Sequence, residues 1–269
     1  MKATLIISVY DNIPFLRAVL DSLQWQTEQD FEVIISEDAE HEDMARFVAA
    51  YPFRQSHQHL TQADTGWHKE QALNRAAEAA HADWLIFVDG DCVLHPRFVE
   101  MHLRYAAPDV VLAGKRLRLS KAISERLLSG EIDARQMPSI VRRALWTGGK
   151  GLRHIEEGFF LSPDSFFGRL MAGRENHSIT GCNMSLSREA LRRINGFDED
   201  YIRPAIGEDV DLVWRLRGVG VEKRSLRNLA VQYHLWHPAS WTDQSENQAL
   251  MHERQAANQY ICKNGIKKL

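Results

Sequence analysis

Two carboxylates separated by one glycine, Asp89-Gly90-Asp91, are the residues of this chain best suited to hold a cation. Two hard oxygen ligands suit Mg²⁺ or Mn²⁺, ions that share their coordination with substrate phosphates when the protein supplies few groups. Gly90 permits close approach of a ligand to the backbone. Taken alone, the triplet also reads as a polar turn, because Asp-Gly is a common turn dipeptide. Three other groupings could do chemistry: Glu37-Asp38, Glu208-Asp209, and the histidines His234 and His237. A carboxylate can take a proton from an attacking hydroxyl, and imidazole is a common ligand of first-row metals. The plainer reading of Glu208 and Asp209 is that acids in the first turn of a helix favour its dipole. A lone histidine is more often packed or solvated than ligating.

The elements that must position these groups read as alternating strands and helices. Residues 84–88, Trp-Leu-Ile-Phe-Val, run straight into Asp89. An apolar run of that length bounded by turn residues predicts a strand buried on both faces, of the kind found in parallel sheets. Ligands bind at the carboxyl ends of such strands. Residues 5–9 predict a first strand, and Pro14 opens a helix with Leu16, Val19, Leu20 and Leu23 at helical spacing. Residues 31–35 predict a second strand ending in Ser36-Glu37-Asp38. Residues 43–51 and 69–80 predict helices, with a loop at Thr65-Gly66-Trp67-His68 before the second. This alternation gives βαβ units and a mostly parallel sheet. No G-x-G-x-x-G or Walker A sequence is present.

Residues 115–153 differ in character. Ten basic residues face three acidic ones, a local balance of +7, with Leu127, Leu128, Ile140, Val141, Leu145 and Trp146 interspersed. They predict short amphipathic helices, either a solvated insertion or a surface for an anionic acceptor or lipid. Beyond them, residues 179–186 predict a strand. Ser187 caps a helix that stops at Asn195-Gly196, and residues 207–216 predict a helix with acids in its first turn. Residues 231–238 predict a last strand ending in the two histidines, and residues 246–269 a C-terminal helix with a polar tail.

The net charge of -3 gives no case for nucleic-acid binding. The three cysteines, Cys92, Cys182 and Cys262, lie far apart, which fits a reducing compartment. The first residues are too short an apolar run for a signal peptide, and no stretch reaches bilayer-spanning length. A cytosolic protein is expected, able to touch the membrane from that side.

Taken together, the strand ends Ser8-Val9-Tyr10 and Ser36-Glu37-Asp38, the Asp89-Gly90-Asp91 triplet, Gly181-Cys182-Asn183-Met184-Ser185, Asn195-Gly196-Phe197-Asp198 and Gly207-Glu208-Asp209-Val210-Asp211-Leu212 carry a resemblance. They resemble glycosyltransferase family 2, inverting nucleotide-sugar-dependent enzymes of the GT-A fold. The C-terminal half is similar to the acceptor region of galactosyltransferases and chondroitin-type polymerases. The resemblance implies an α/β domain over residues 1–269. Residues 1–114 would be its nucleotide-sugar-binding half, 115–175 a basic helical insertion, 176–245 the acceptor and catalytic half, and 246–269 a C-terminal helix and tail.

It also implies roles. Ser8 and Tyr10 would meet the nucleotide, Asp38 would hydrogen-bond the base, with Glu37 as the lesser candidate, and Lys69 and Asn74 would contact diphosphate or base. Asp89 would lie near ribose and sugar, with Asp91 and His234 on a Mn²⁺ or Mg²⁺ ion that Asp89 supports. His237 is the poorer ligand because Pro238 follows it. Asp209 would be the general base and Glu208 would hold a sugar. The expected activity is transfer of a hexose or N-acetylhexosamine from a UDP-sugar to a saccharide or glycolipid acceptor, in bacterial cell-surface polysaccharide or lipopolysaccharide synthesis. Where the family often has Trp-Gly-x-Glu-Asp, this chain has Arg203-Pro204-Ala205-Ile206 before Gly207, so the usual aromatic platform is missing there. Trp67, Trp236 and Trp241 are either replacements or plain core.

The rival readings fit less well. A haloacid-dehalogenase-type phosphohydrolase carries its Asp-x-Asp near the chain start, and a sugar-nucleotide pyrophosphorylase needs a glycine-rich basic loop where this chain has Asp11-Asn12-Ile13-Pro14. A non-enzymatic nucleotide-binding protein would have no need of Asp89, Asp91, Glu208, Asp209 and His234 together.

Overall fold

The first two apolar strands are each followed by a polar turn and an amphipathic helix, and the computed structural model bears out that alternation up to the strand ending in Asp89. It describes residues 1–146, 148–149, 151–172, 181–238 and 242–269, with the side chains of 171, 172 and 208 outside that description. The order is β1 (Ala3–Val9), α1 (Ile13–Leu23), β2 (Phe31–Glu37), α2 (Glu42–Ala50), β3 (His57–Leu60), α3 (Lys69–Ala79) and β4 (Trp84–Asp89). These strands pair parallel in the order β3-β2-β1-β4, so their carboxyl ends share one edge. Asn12 caps α1 by accepting the Phe15 N–H.

β4 is buried on both faces, as its composition requires. Ile86 and Val88 pack with Leu16, Val19 and Leu20 of α1, whereas Leu85 and Phe87 pack with Leu73 and Ala76 of α3. Each such side chain contributes roughly 1.5–3 kcal/mol on burial, so this strand anchors both layers.

The chain continues through β5 (Cys92–Leu94), α4 (Phe98–Arg104), β6 (Val110–Ala113), β7 (Lys115–Arg118), α5 (Lys121–Leu128), α6 (Met137–Trp146), α7 (Phe166–Ala172), β8 (Asn183–Ser187), α8 (Arg188–Arg193), α9 (Leu212–Gly218), β9 (Glu222–Ser225), β10 (Val231–His234) and α10 (Ser245–Ala256). The main sheet extends as β3-β2-β1-β4-β8-β6-β9, with β8 antiparallel to both neighbours and β6 parallel to β9. A second sheet, β5-β10-β7, stands beside it.

Two expectations change here. Lys115–Arg118 is a strand, not part of a helix, and it runs parallel to β10 with Leu117 buried. The helices that follow, α5 and α6, close a separate core with Leu127, Met137 and Val141 against Leu117 and Tyr233. The acids of residues 207–216 sit on a π-helical turn, Ile206–Asp211, with α9 starting only at Leu212. Among the described residues, no helix is long and apolar enough to cross a membrane.

Candidate active site

The register of the main sheet brings the first site residues together. Ser8 pairs with Asp89 across β1 and β4, and its carbonyl accepts the Gly90 N–H at 2.8 Å. A Cβ on Gly90 would stand 2.6 Å from Val9 Cγ1, which explains the glycine between the two acids. Tyr10, half exposed just past β1, donates its hydroxyl to Asp64 at 2.8 Å. Asp38 is buried at the end of β2 and accepts the His68 N–H at 3.0 Å and the Gln62 side-chain amide. Burial raises its pKa against those donors. Lys69, in the first turn of α3, donates to Asp89 Oδ1 at 2.8 Å. Ser8, Tyr10, Asp38, Lys69, Asp89 and Asp91 all line one cleft of about 750 Å³, joined there by Trp67, Pro204 and His237.

Asp91 lies where β4 of one sheet hands over to β5 of the other. Pairing of β5 with β10 sets Cys92 opposite His234, and the Leu235 N–H donates to the Asp91 carbonyl at 2.9 Å. His234 Nε2 and His237 Nε2 approach Asp91 Oδ2 to 3.1 and 3.3 Å. Burial works to raise the Asp91 pKa, but the hydrogen bonds from both imidazoles carry it far below the usual carboxylate range. The bond to Asp91 in turn raises His237. The three ligand atoms lie within 4.8 Å of one another. One carboxylate and two imidazoles at that spacing fit a first-row divalent ion such as Mn²⁺. Asp89 is not in this group; its oxygens face Lys69 and, at 3.9 Å, Arg116.

Several expected residues fall elsewhere. Glu37 is fully buried and outside the cleft, held by His41 at 2.8 Å and His59 at 2.7 Å. Successive side chains of a strand point to opposite faces, so Asp38 and its neighbour could not both enter the cleft. Asn74 is also absent from the cleft lining. Its amide donates to the Phe197 carbonyl and Glu199, both at 2.9 Å, and accepts the Phe197 N–H at 2.8 Å. It thereby fixes the turn at Asn195-Gly196, where both residues have positive φ. His237, ranked below His234 because of Pro238, joins the same cluster. Arg116 sits beside Asp89, although its sequence context marked it only as one cation of a basic run.

Asp209 lies on the π-helical turn, off the cleft lining, with Oδ1 accepting the Val210 N–H at 2.6 Å and its charge acting on Lys115 of β7. The Glu208 side chain, Ile179, Thr180 and Trp241 lie outside the described residues. Gly207 is packed tightly; a Cβ there would meet Tyr201 at 2.7 Å and Glu70 Oε1 at 2.8 Å. Asn183 of the Gly-Cys-Asn-Met-Ser run serves the fold, donating at 2.9 Å to the carbonyls of both Lys115 and Ala230.

The family model for glycosyl transferase family 2 matches residues 4–194, most of the chain and the ends of β1, β2 and β4. The chain belongs to glycosyl transferase family 2. This family 2 chain also matches the model for the N-terminal domain of galactosyltransferase over residues 166–238, the part that carries Asp209, His234 and His237. It is 27% identical over 231 residues to validoxylamine A glucosyltransferase of Streptomyces hygroscopicus subsp. jinggangensis, covering 81% of this chain and 52% of that protein. It is 23% identical over 244 residues to chondroitin synthase of Escherichia coli, covering 86% and 34%. The chain thus spans between about a third and a half of the length of these curated relatives. Among solved structures, S. aureus TarS 1-349 in complex with UDP-GlcNAc superimposes with a TM-score of 0.64 at 15% identity, covering 96% of this chain and 66% of that one. The mannosyltransferase PcManGT from Pyrobaculum calidifontis, in complex with GDP-Man and Mn²⁺, gives 0.55 at 15% identity, covering 96% and 62%. These likenesses establish the GT-A fold, and the phosphohydrolase and pyrophosphorylase readings gain nothing from them.

Proposed function

We propose that the chain transfers a hexose or N-acetylhexosamine from a UDP-sugar to a saccharide or glycolipid acceptor with inversion, in the presence of Mn²⁺ or Mg²⁺. The observation that carries the reading is the convergence of Asp38, Asp89 and Asp91 on one cleft with His237, beside His234. In this reading Tyr10 packs against the base and Asp38 accepts its N–H, as a buried carboxylate aimed at a planar donor can. Lys69 and Asp89 form an ion pair, with Asp89 toward the ribose and sugar and Lys69 toward the diphosphate or base. Asp91, His234 and His237 hold the metal, which when bound supplies Lewis-acid neutralisation of the departing diphosphate.

Asp209 takes the proton of the acceptor hydroxyl as that oxygen attacks the anomeric carbon, and a single displacement inverts the centre. Gly207, wedged between Tyr201 and Glu70, supports this by fixing the turn that carries Asp209. Synthesis of bacterial cell-surface polysaccharide or lipopolysaccharide on the cytoplasmic side, with the basic segment 115–153 against the inner membrane, is the setting this chemistry suits.

Incubation with radiolabelled UDP-, GDP- and TDP-sugars, with Mn²⁺ or with EDTA, tests the reading. Metal-dependent transfer to saccharide or water from a UDP-sugar is the expected result. Phosphate release from simple phosphomonoesters, pyrophosphate exchange, or no turnover of any sugar nucleotide would each contradict it.

A further inference from the structure

Glu37 has no place in the cleft, yet it is a fully buried ionisable group at the last position of β2. Its oxygens are divided between two elements. Oε1 accepts the His41 backbone N–H at 3.0 Å and meets His41 Nδ1 at 2.8 Å, while Oε2 meets His59 Nε2 of β3 at 2.7 Å. Burial raises the Glu37 pKa, but these donors outweigh it and hold the carboxyl low, and the same bond raises His41. The His41 ring then meets Tyr10 nearly at right angles, 85° with centroids 5.6 Å apart, a favourable aromatic geometry. Tyr10 is half exposed and lines the cleft, and its hydroxyl is tied to Asp64. The ring is therefore gripped at two points, one of which ends on a buried carboxylate.

We propose that Glu37, acting through His41 and braced by His59, is a positioning residue that sets the orientation of Tyr10 and through it the affinity for the nucleobase. The proposal rests on the nucleotide-sugar reading above. The charged groups facing this unit are Glu37 from β2, Asp11 from the turn after β1, and Asp64 from the loop before α3. All of them act to raise His41, and Asp38 adds to the negative field at Tyr10. Its sign follows. A histidine whose folded pKa lies above 6.5 keeps its charge pair below that ordinary value and loses it as pH rises through the raised one. Support for Tyr10 is full on the acid side and fades on the alkaline side.

Calorimetric binding of UDP with Mn²⁺ from pH 5.5 to 8.5 tests this in the wild type, Glu37→Gln and His41→Ala, with NMR titration of His41. At the acid end both variants should bind UDP about five- to tenfold more weakly, the scale of one aromatic contact. The gap should close as pH rises, the His41 inflection in Glu37→Gln should move to lower pH, and kcat for UDP-sugar turnover should stay within about twofold of the wild type. His41→Ala, a change at a surface side chain, keeps the test open if Glu37→Gln fails to fold. Folded variants that bind UDP with wild-type affinity, or lose the same factor at every pH, would overturn the positioning role alone. A wild type that binds no nucleoside diphosphate would remove the nucleotide-sugar reading and this role with it.

Discussion

Asp209 and Asp211 sit two positions apart on one π-helical turn and have opposite surroundings. Asp211 is fully buried, 2.6 Å from the equally buried Arg215 and accepting the Tyr201 hydroxyl at 3.0 Å. Arg215 in turn donates to the Gly196 carbonyl at 2.7 Å, so this pair belongs to the fold. Asp209 is only partly covered and keeps an acid near Lys115. If it is the base, Asp209→Asn should lower turnover by about 10²-fold or more while UDP binding and the thermal midpoint stay unchanged. Near wild-type transfer by that variant would move the base elsewhere. Much of the candidate site at this scale was legible: Asp38, Lys69, Asp89 and Asp91 line the cleft, and His234 lies beside Asp91. Glu37 and Asn74 were not, because adjacent acids on a strand buried on both faces carry no pattern saying which one faces out. An asparagine in a helix likewise gives no sign that it will clamp a turn more than a hundred residues away.

At the scale of elements, the helices α1, α2, α3, α8 and α10 and the long apolar strands β1, β2 and β4 could be read from periodicity and capping residues, whereas α4 and α7 could not. Nor could the short strands. β3 (His-Gln-His-Leu) and β9 (Glu-Lys-Arg-Ser) form the two edges of the main sheet. Short edge strands, polar in β3 and charged in β9, protect a sheet from further pairing, and that same composition hides them. β7 was masked by its arginines, since only Leu117 of its four residues is fully buried. On α6 of the basic segment, Arg142 and Arg143 are exposed beside Leu145 and a 91% exposed Trp146. Charge reversal at Arg142 and Arg143 should weaken binding to anionic liposomes and blunt its salt dependence. Sedimentation with such liposomes that is identical for wild type and variant would leave only a solvated face.

Across the whole molecule, the candidate site lies on the seam between two sheets. Two residues, Gly90 and Asp91, carry the chain from the end of β4 at Asp89 to the start of β5 at Cys92, and β10 brings His234 back from the distant end of the sequence. The C-terminal residues are docked as well: Asn195 donates to the carbonyls of Cys262 and Lys267 at 2.9 and 2.8 Å, tying the tail to the turn after α8. No local pattern foretells a candidate site assembled this way; only the family resemblance, carried over the full chain, paired Asp91 with His234. The central claim is that Asp91, His234 and His237 couple metal to nucleotide in that seam. It is tested most directly by thermal denaturation with UDP, with Mn²⁺ or EDTA, in the wild type and Asp91→Ala. UDP at about a hundredfold over its dissociation constant should raise the wild-type midpoint by roughly 5 °C, only with Mn²⁺ present, and Asp91→Ala should show no metal-dependent rise. Equal stabilisation by UDP in EDTA, or an undiminished Mn²⁺ effect in Asp91→Ala, would contradict the account.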